Sequence, residues 1–328
     1  MDKIVIEFKG NKEDFILNFK RIFISLLMIM SIVLIGCSEK KPNVKEVSSN
    51  KEKIQVAVSI VPQETFVKEV GGDLVEVITM IPPGNSPENY QPSPSEMVKF
   101  SNAKIYFGIG VPTEKVSILP KAGDFNKNMK IVSLEKEVEK LYPHIEFKGE
   151  HSHDNNQGTS CSHDGVDPHI WMSPKRVKVM IETIKNELIA IDARNKETYE
   201  ANAKNYIEKL DKVDKEIKES LKGFKNQSFI IYHPSFGYFA EDYNLNMIAI
   251  EEGGKEATAK KLKEVIDIAK AKKIKFVFYQ EEFDSLQAET IAKEIGGGVV
   301  KVAPLAPDYI ENLEKINEKF KEVLKGEG

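Results

Sequence analysis

The sequence is poor in cysteine and in tryptophan, and its charges are nearly balanced. Its 328 residues include one tryptophan and two cysteines, Cys37 and Cys161, too few for a disulfide-stabilised scaffold. The 47 basic and 51 acidic residues give a net charge of −4, and no basic region is concentrated enough to predict nucleic-acid binding. The sequence also lacks a His-Glu-x-x-His motif, the compact helical signature of many zinc hydrolases.

The longest apolar run lies near the N-terminus and is typical of a secretion signal. It covers 14 residues, Ile22 to Ile35, follows two basic residues and ends at Leu34-Ile35-Gly36-Cys37. The run is too short for a transmembrane helix and fits a signal peptide, and its end matches a bacterial lipobox. We expect residues 1–36 to be removed and Cys37 to carry a lipid, so that the exported protein is anchored to the outer side of the cell membrane. The alternative is a short buried helix with a chance cysteine.

After this signal, a polar tether leads into two regions where strand and helix patterns alternate. Residues 37–53 are polar and charged and have little apolar surface to bury. The alternation in residues 54–173 and 224–328 predicts parallel sheets with helices on their faces. The predicted fold class is therefore α/β, with two similar lobes. Within the N-terminal lobe the pattern predicts helices at 63–70 and 95–101.

Residues 174–223, between the two lobes, carry helical patterns. The second of these begins near Asn195, ends near Lys222 and keeps its apolar residues on one face. Such a helix would be about 42 Å long at 1.5 Å per residue. We interpret it as a brace that bridges the lobes; the alternative is an ordinary long surface helix.

Three separated motifs place metal-binding side chains in turns fixed by proline or glycine. They are residues 82–92, which include Glu88, residues 167–174, which include His169, and residues 232–239, which include His233. His233 follows an apolar strand, and open α/β sheets form their clefts at the carboxyl ends of strands. Imidazole and carboxylate together make a mixed nitrogen and oxygen site for zinc and similar ions. The motifs therefore predict one divalent-metal site.

The segment 144–166 interrupts the alternating pattern of the N-terminal lobe. It is polar, and we do not expect it to be ordered. It contains four of the six histidines together with Cys161: His144, His151, His153 and His163. Its His-Ser-His and Cys-Ser-His spacings predict a weak auxiliary metal site, and a plain linker is the alternative.

From Ile54 onward the sequence resembles the zinc/manganese solute-binding proteins of bacterial ABC transporters, the ZnuA/TroA type. The resemblance rests on the three motifs, on Val56-Ala-Val-Ser-Ile-Val-Pro and on Pro304-Leu305-Ala306-Pro307-Asp308-Tyr309. It implies two α/β lobes bridged by a long helix, with the metal held between the lobes.

The resemblance also implies the ligand set. The first ligand of the family is usually a histidine, and Glu88 occupies that position here. His169 and His233 match the second and third ligands. The fourth is often an aspartate, and Ala303 occupies its position. The candidates for a replacement are Gln280, Glu281, Glu282, Glu251, Glu252 or a water molecule.

The function that the resemblance implies is capture of Zn²⁺, or of Mn²⁺ or Fe²⁺, outside the membrane and its delivery to an ABC permease. The protein is then not an enzyme, and its partners are a metal ion, the permease and, through the lipid, the membrane. Two alternatives remain open: a surface adhesin with a degenerate metal site, and a zinc hydrolase that uses two histidines, one glutamate and a bound water.

Overall fold

The structure is a computed structural model that describes residues 52–146, 165–251, 254–283 and 285–326. These residues form two α/β lobes and the helices that link them. Among them, no helix is both long and apolar enough to cross a membrane.

The N-terminal lobe is built on a four-stranded parallel sheet in the order β2-β1-β3-β4. The strands are β1 (Ile54–Val58), β2 (Val75–Thr79), β3 (Ile105–Gly108) and β4 (Lys130–Ser133). Its helices are α1 (Val61–Gly71), α2 (Pro94–Phe100), α3 (Leu119–Phe125) and α4 (Leu134–Glu139), and a π-helical turn, Glu114–Ile118, leads into α3. The sequence pattern did not predict the helical segments at 114–125 and 134–139.

The C-terminal lobe repeats this arrangement with the sheet order β6-β5-β7-β8, again parallel. Its strands are β5 (Ser228–Ile231), β6 (Asn246–Ala249), β7 (Phe276–Gln280) and β8 (Gly298–Val302). Its helices are α7 (Gly237–Tyr243), α8 (Ala259–Lys272), α9 (Leu286–Glu294) and α10 (Tyr309–Lys325). The two sheets share one topology, and the predicted fold class is confirmed.

Two further helices join the lobes: α5 (Pro174–Ile191) and α6 (Lys196–Leu221). The 26-residue α6 packs against α1 of the first lobe and α10 of the second. Its apolar stripe is buried along its whole length: Tyr199, Ala203, Tyr206, Leu210, Val213, Ile217 and Leu221. The predicted bridging helix is confirmed.

Four helices begin at a serine or threonine that caps the first turn. The side-chain oxygen accepts a hydrogen bond from the backbone N–H three residues later, which satisfies a donor that has no partner inside the helix. The capping residues are Ser93, Ser133, Ser173 and Thr258. Ser173 belongs to the His169 motif, and its cap fixes where the turn of that motif ends and α5 begins.

The largest apolar core is shared by both lobes. It includes Val56 and Phe107 from the first sheet, Phe229 from the second, and Tyr206 from the linking helix α6. Two smaller cores fill the outer faces of the C-terminal and N-terminal sheets. Because the central core is continuous, the described lobes are held together by buried apolar surface as well as by the chain.

Candidate metal centre

Glu88, His169 and His233 converge in the structure, although 64 positions separate the two histidines and Glu88 lies in a third segment. The ligand atoms of these three residues, here named the His–Glu cluster, all lie within 4.8 Å of one another. The two Nε2 atoms are 3.1 Å apart, and Glu88 Oε1 lies 3.7 Å from His233 Nε2. Two nitrogens bound tetrahedrally to one zinc ion at 2.0–2.1 Å lie roughly 3.3 Å apart. The observed spacing therefore suits ligands that share one ion.

His233 is held at the carboxyl end of the second sheet by groups at the ends of the two strands that flank its own. It follows β5, and its Nδ1 lies 2.7 Å from Oε2 of Glu251, which follows β6. Gln280, the last residue of β7, donates from Nε2 to the His233 carbonyl at 2.7 Å. The ring of Phe283 stacks on the His233 ring with the centroids 4.4 Å apart. These contacts fix both the position and the plane of the imidazole.

His169 is fixed by its own motif. Asp167 Oδ1 lies 2.7 Å from His169 Nδ1 and also accepts the His169 backbone N–H at 2.9 Å. The Tyr238 hydroxyl donates to the Asp167 carbonyl at 2.8 Å, which ties this turn to the His233 motif. A Cβ at position 237 would lie 2.3 Å from Asp167 Oδ2, so a glycine there allows the close approach.

The segment after His169 also packs on the C-terminal lobe. Trp171 donates from Nε1 to the carbonyl of Pro304 at 3.0 Å, and the Tyr309 hydroxyl donates to the Trp171 carbonyl at 2.6 Å. The indole and His169 rings are 5.1 Å apart. His169 and His233 are therefore positioned by one continuous set of contacts.

A buried carboxylate beside each Nδ1 determines what the imidazoles offer to a ligand. Asp167 and Glu251 are both buried, and a carboxylate at hydrogen-bond distance favours the tautomer with the proton on Nδ1. In that tautomer Nε2 keeps its lone pair. Both Nε2 atoms belong to the cluster, so the arrangement offers a metal ion two imidazole nitrogens and one carboxylate oxygen.

Glu88 comes from a loop of the N-terminal lobe that follows β2. Its side chain is 11% exposed, which places it at the accessible side of the cluster. Within the loop, the Tyr90 N–H donates to the Ser86 carbonyl at 3.3 Å, and the Glu88 N–H donates to the Ser86 hydroxyl at 3.3 Å. These short-range bonds hold Glu88 in a compact turn.

Comparison with known proteins assigns the chain to a family. The model of the family described as "Zinc-uptake complex component A periplasmic", ZnuA, matches residues 56–323. The chain belongs to the ZnuA family. The resemblance inferred from the three motifs is confirmed.

Individual relatives agree with this assignment. The zinc-binding lipoprotein AdcA of Streptococcus pneumoniae strain R6 is 30% identical over 94% of this chain and 62% of its own length. A crystal structure of ZnuA is 35% identical and superposes with a TM-score of 0.74, covering 83% of this chain and all of the other. Zn(II)-bound AdcA from S. pneumoniae is 29% identical, with a TM-score of 0.67 over 84% of this chain and 59% of its own. The chain thus spans about 62% of AdcA, the first curated relative.

Three of the candidates for a fourth ligand in this ZnuA-family chain, Gln280, Glu281 and Glu251, have other partners. Besides holding the His233 carbonyl, Gln280 Nε2 donates to the Ser235 hydroxyl at 2.7 Å, and its Oε1 accepts the His233 N–H at 3.3 Å. Glu281 pairs with Lys301 at 2.6 Å on the surface. Glu251 Oε2 lies 2.7 Å from His233 Nδ1 and so supports the imidazole ring. Within the described part of the chain, the cluster contains three ligand residues. The fourth ligand stays a prediction, with Gln280, Glu281 and water as its candidates.

Several predicted residues lie outside the described ranges: Cys37, His151, His153, Cys161, His163 and Glu252. Of the loop histidines, only His144 is described; its Nε2 is 3.4 Å from Glu139 Oε2, and it is not part of the His–Glu cluster. Glu146 and Val166 form an antiparallel bridge, so the two ends of the interrupting segment meet.

The sequence did not reveal the supporting roles of Asp167, Glu251 and Gln280. Asp167 stands two positions before His169 in the same motif, and that spacing was a usable signal. For Glu251 and Gln280 the sequence predicts only a possible role as ligands. Both stand at strand ends beside His233, and only the strand order β6-β5-β7 places them there.

Proposed function

We propose that this chain is an exported receptor that captures Zn²⁺ with His169, His233 and Glu88 and delivers it to an ABC permease for uptake. The observation that carries this proposal is the convergence of the two Nε2 atoms and the Glu88 carboxylate within 4.8 Å. Two imidazoles and one carboxylate favour zinc over Mg²⁺ or Ca²⁺, which prefer oxygen ligands. Membership of the ZnuA family supports the same cargo.

Glu88 bears on which transition metal is carried. A carboxylate in place of a third imidazole gives the site a harder ligand, in the hard–soft sense of metal coordination. The affinities for Mn²⁺ and Fe²⁺ are then closer to the affinity for Zn²⁺. The proposed cargo is therefore Zn²⁺, with Mn²⁺ and Fe²⁺ as competitors. Anchoring by a lipid on Cys37 is part of the proposal and rests on the lipobox alone.

A hydrolase needs a base beside the metal-bound water. The two buried carboxylates nearest the histidines, Asp167 and Glu251, are each bonded to an Nδ1 atom. This arrangement supports binding without catalysis. Transport is therefore the function that we propose for the site.

The test is metal content and competition titration of a fragment that begins at Lys53, with Zn²⁺, Mn²⁺ and Fe²⁺. We expect one equivalent of tightly bound zinc, and we expect His169→Ala and His233→Ala each to abolish tight binding. His144→Ala is the matched control, because it removes a histidine outside the cluster. Cys161→Ser should also bind as the parent does. Tight zinc binding in both cluster variants would contradict the assignment.

A further inference from the structure

A buried polar cluster lies in the N-terminal lobe, apart from the His–Glu cluster. It contains Ser59, just after β1, Tyr106 in β3, and Glu114 in the π-helical turn, and all three residues are buried. The Ser59 and Tyr106 hydroxyls are 2.6 Å apart, and Ser59 donates to Glu114 Oε1. Burying a carboxyl group costs folding free energy unless hydrogen bonds compensate for the lost water. The position of Glu114 therefore suggests a specific role.

Glu114 closes the turn that follows β3. Its Oε1 accepts the N–H of Ile109 at 2.6 Å, and its Oε2 accepts the N–H of Gly110 at 2.9 Å. A Cβ at position 108 would lie 2.9 Å from Oε2, so glycine there leaves room for the carboxyl group. The carboxyl group therefore sets the path of the chain from the end of β3 to the start of the π-helical turn.

The same turn holds the loop that carries Glu88. Thr113, next to Glu114, donates from its N–H to the carbonyl of Pro87 at 3.0 Å. Its hydroxyl donates to the carbonyl of Tyr90 at 3.2 Å. These two bonds reach the loop on either side of Glu88. The chain of contacts thus runs from the buried carboxyl group, through residues 109–113, to the metal-binding loop.

We propose that Glu114 is a positioning residue for Glu88: it fixes the place of the Glu88 carboxylate in the metal centre without itself binding the metal. This inference rests on the proposed function of the His–Glu cluster. His169 and His233 are positioned by Asp167, Glu251 and Gln280, none of which belongs to this network. Loss of the Glu114 carboxylate should therefore loosen one ligand and leave the other two in place.

The first test uses the full-length chain without metal. Glu114→Gln keeps the shape of the side chain, but its amide nitrogen cannot accept a backbone N–H. We expect amide hydrogen exchange to become faster at 86–92 and 109–113 and to stay unchanged at 167–172. Ile118→Val is the matched control, because it removes one buried methylene from the same helical segment and leaves the Glu114 contacts intact. Unchanged exchange at 86–92 in Glu114→Gln would overturn the proposal.

The second test measures zinc affinity by competition. We expect Glu114→Gln to weaken binding about tenfold, in the range usual for residues that support a metal ligand, and Ile118→Val to bind as wild type does. In a Glu88→Ala background, adding Glu114→Gln should change the remaining affinity little, because the ligand that it positions is gone. An equal loss in both backgrounds would overturn the positioning role.

The outcomes separate this inference from the function on which it rests. If wild type fails to bind zinc, the proposed function is wrong and this inference falls with it. If wild type binds tightly and Glu114→Gln binds equally well, only the role of Glu114 is wrong. Circular dichroism of each variant shows whether a loss of binding reflects a loss of fold.

Discussion

Each histidine of the His–Glu cluster rests on a carboxylate that the fold has already removed from water. Asp167 is completely buried and Glu251 is 6% exposed, and each lies 2.7 Å from an imidazole Nδ1. A ligand supported in this way is held in one ring orientation and one tautomer, which lowers the ordering cost of metal binding. At the scale of single residues, these supports determine affinity as much as the ligands do.

We therefore predict that Asp167→Asn and Glu251→Gln each lower zinc affinity by about 10- to 100-fold. The amide preserves side-chain size but no longer offers a charged acceptor to Nδ1–H. Competition titration measures the effect. Asp192→Asn is the control, because Asp192 bonds Asn195 near the linking helix and is not in the cluster. An equal loss of affinity in that variant would indicate a general effect of aspartate removal.

The buried carboxyl group of Glu114 should make the free energy of unfolding depend on pH. Burial, with repulsion from Glu135 as a smaller cause, raises the pKa of its carboxyl group from 4.5 to about 7, against hydrogen bonds from Ser59 and the amides of Ile109 and Gly110. The folded protein then holds a proton that the unfolded chain has released between these two values. This group's contribution to stability is full below about pH 4.5 and is lost as the pH rises through about 7.

The size of this contribution is on the order of 3 kcal/mol for a shift of this extent. Glu114→Gln cannot titrate, so the difference in unfolding free energy between wild type and variant should change across this pH range. Denaturant unfolding of the metal-free protein at several pH values measures it. A difference that stays constant between about pH 5 and about pH 8 would contradict the raised pKa.

At the scale of elements, strand ends and turns were predictable where the local sequence decides them. Pro82, Pro168 and Pro234 mark turns directly, and the apolar strand before His233 identifies a cleft position. Helix α3 was missed because its sequence, Leu-Pro-Lys-Ala-Gly-Asp-Phe, contains proline and glycine and has weak helix propensity. Its helical form depends on tertiary packing, since it lies against α2 and the turn before it.

The supporting roles of Glu251 and Gln280 illustrate the same limit of prediction from local sequence. Either side chain could have been a ligand or a support as judged from sequence, because the two roles use the same chemistry. The strand order determines which role each takes: β6 and β7 flank β5, so Glu251, just after β6, and Gln280, the last residue of β7, reach His233 from both sides. Sequence identified the type of residue at the site, and topology determined what each one does.

The bridge between Glu146 and Val166 makes the interrupting segment replaceable. Gly165 already has a positive φ of 76°, which suits the second position of a two-residue Asn-Gly turn. We predict that replacing residues 147–164 by one asparagine leaves the fold and equilibrium zinc affinity unchanged, because the His–Glu cluster lies outside it.

Circular dichroism and competition titration check this prediction. A slower rate of zinc capture with unchanged affinity would assign an auxiliary role to the histidines of the segment. A lost equivalent of tight binding would show that the segment supplies a ligand to the main site.

At the scale of the molecule, the segments that carry the two histidines are also linked by contacts away from the metal centre. The Arg176 side chain in α5 is buried; it donates to Glu241 Oε2 at 2.7 Å and lies 3.3 Å from Asp242 Oδ1, both in α7. Its guanidinium group also lies 4.3 Å from the Tyr238 ring centroid. The helices that begin within the two histidine motifs are thus bonded to each other, while Glu88 reaches the site from the loop after β2.

Because zinc would link these segments only in the folded state, it should raise thermal stability. Free zinc at about 1,000 times the dissociation constant gives about 4 kcal/mol, or a rise in Tm on the order of 10 °C for a protein of this size. Differential scanning calorimetry measures it. His233→Ala should lose the rise, and His144→Ala should keep it; a zinc-dependent rise that survives in His233→Ala would place the stabilising ion elsewhere.

The indole beside His169 has a further consequence. Trp171 is the single tryptophan of the chain, it is 1% exposed, and its ring centroid is 5.1 Å from that of His169. All tryptophan fluorescence therefore originates beside His169 in the metal centre. Emission intensity and lifetime report occupancy there without any label, and quenching by a bound paramagnetic ion such as Cu²⁺ would distinguish this site from any other on the protein.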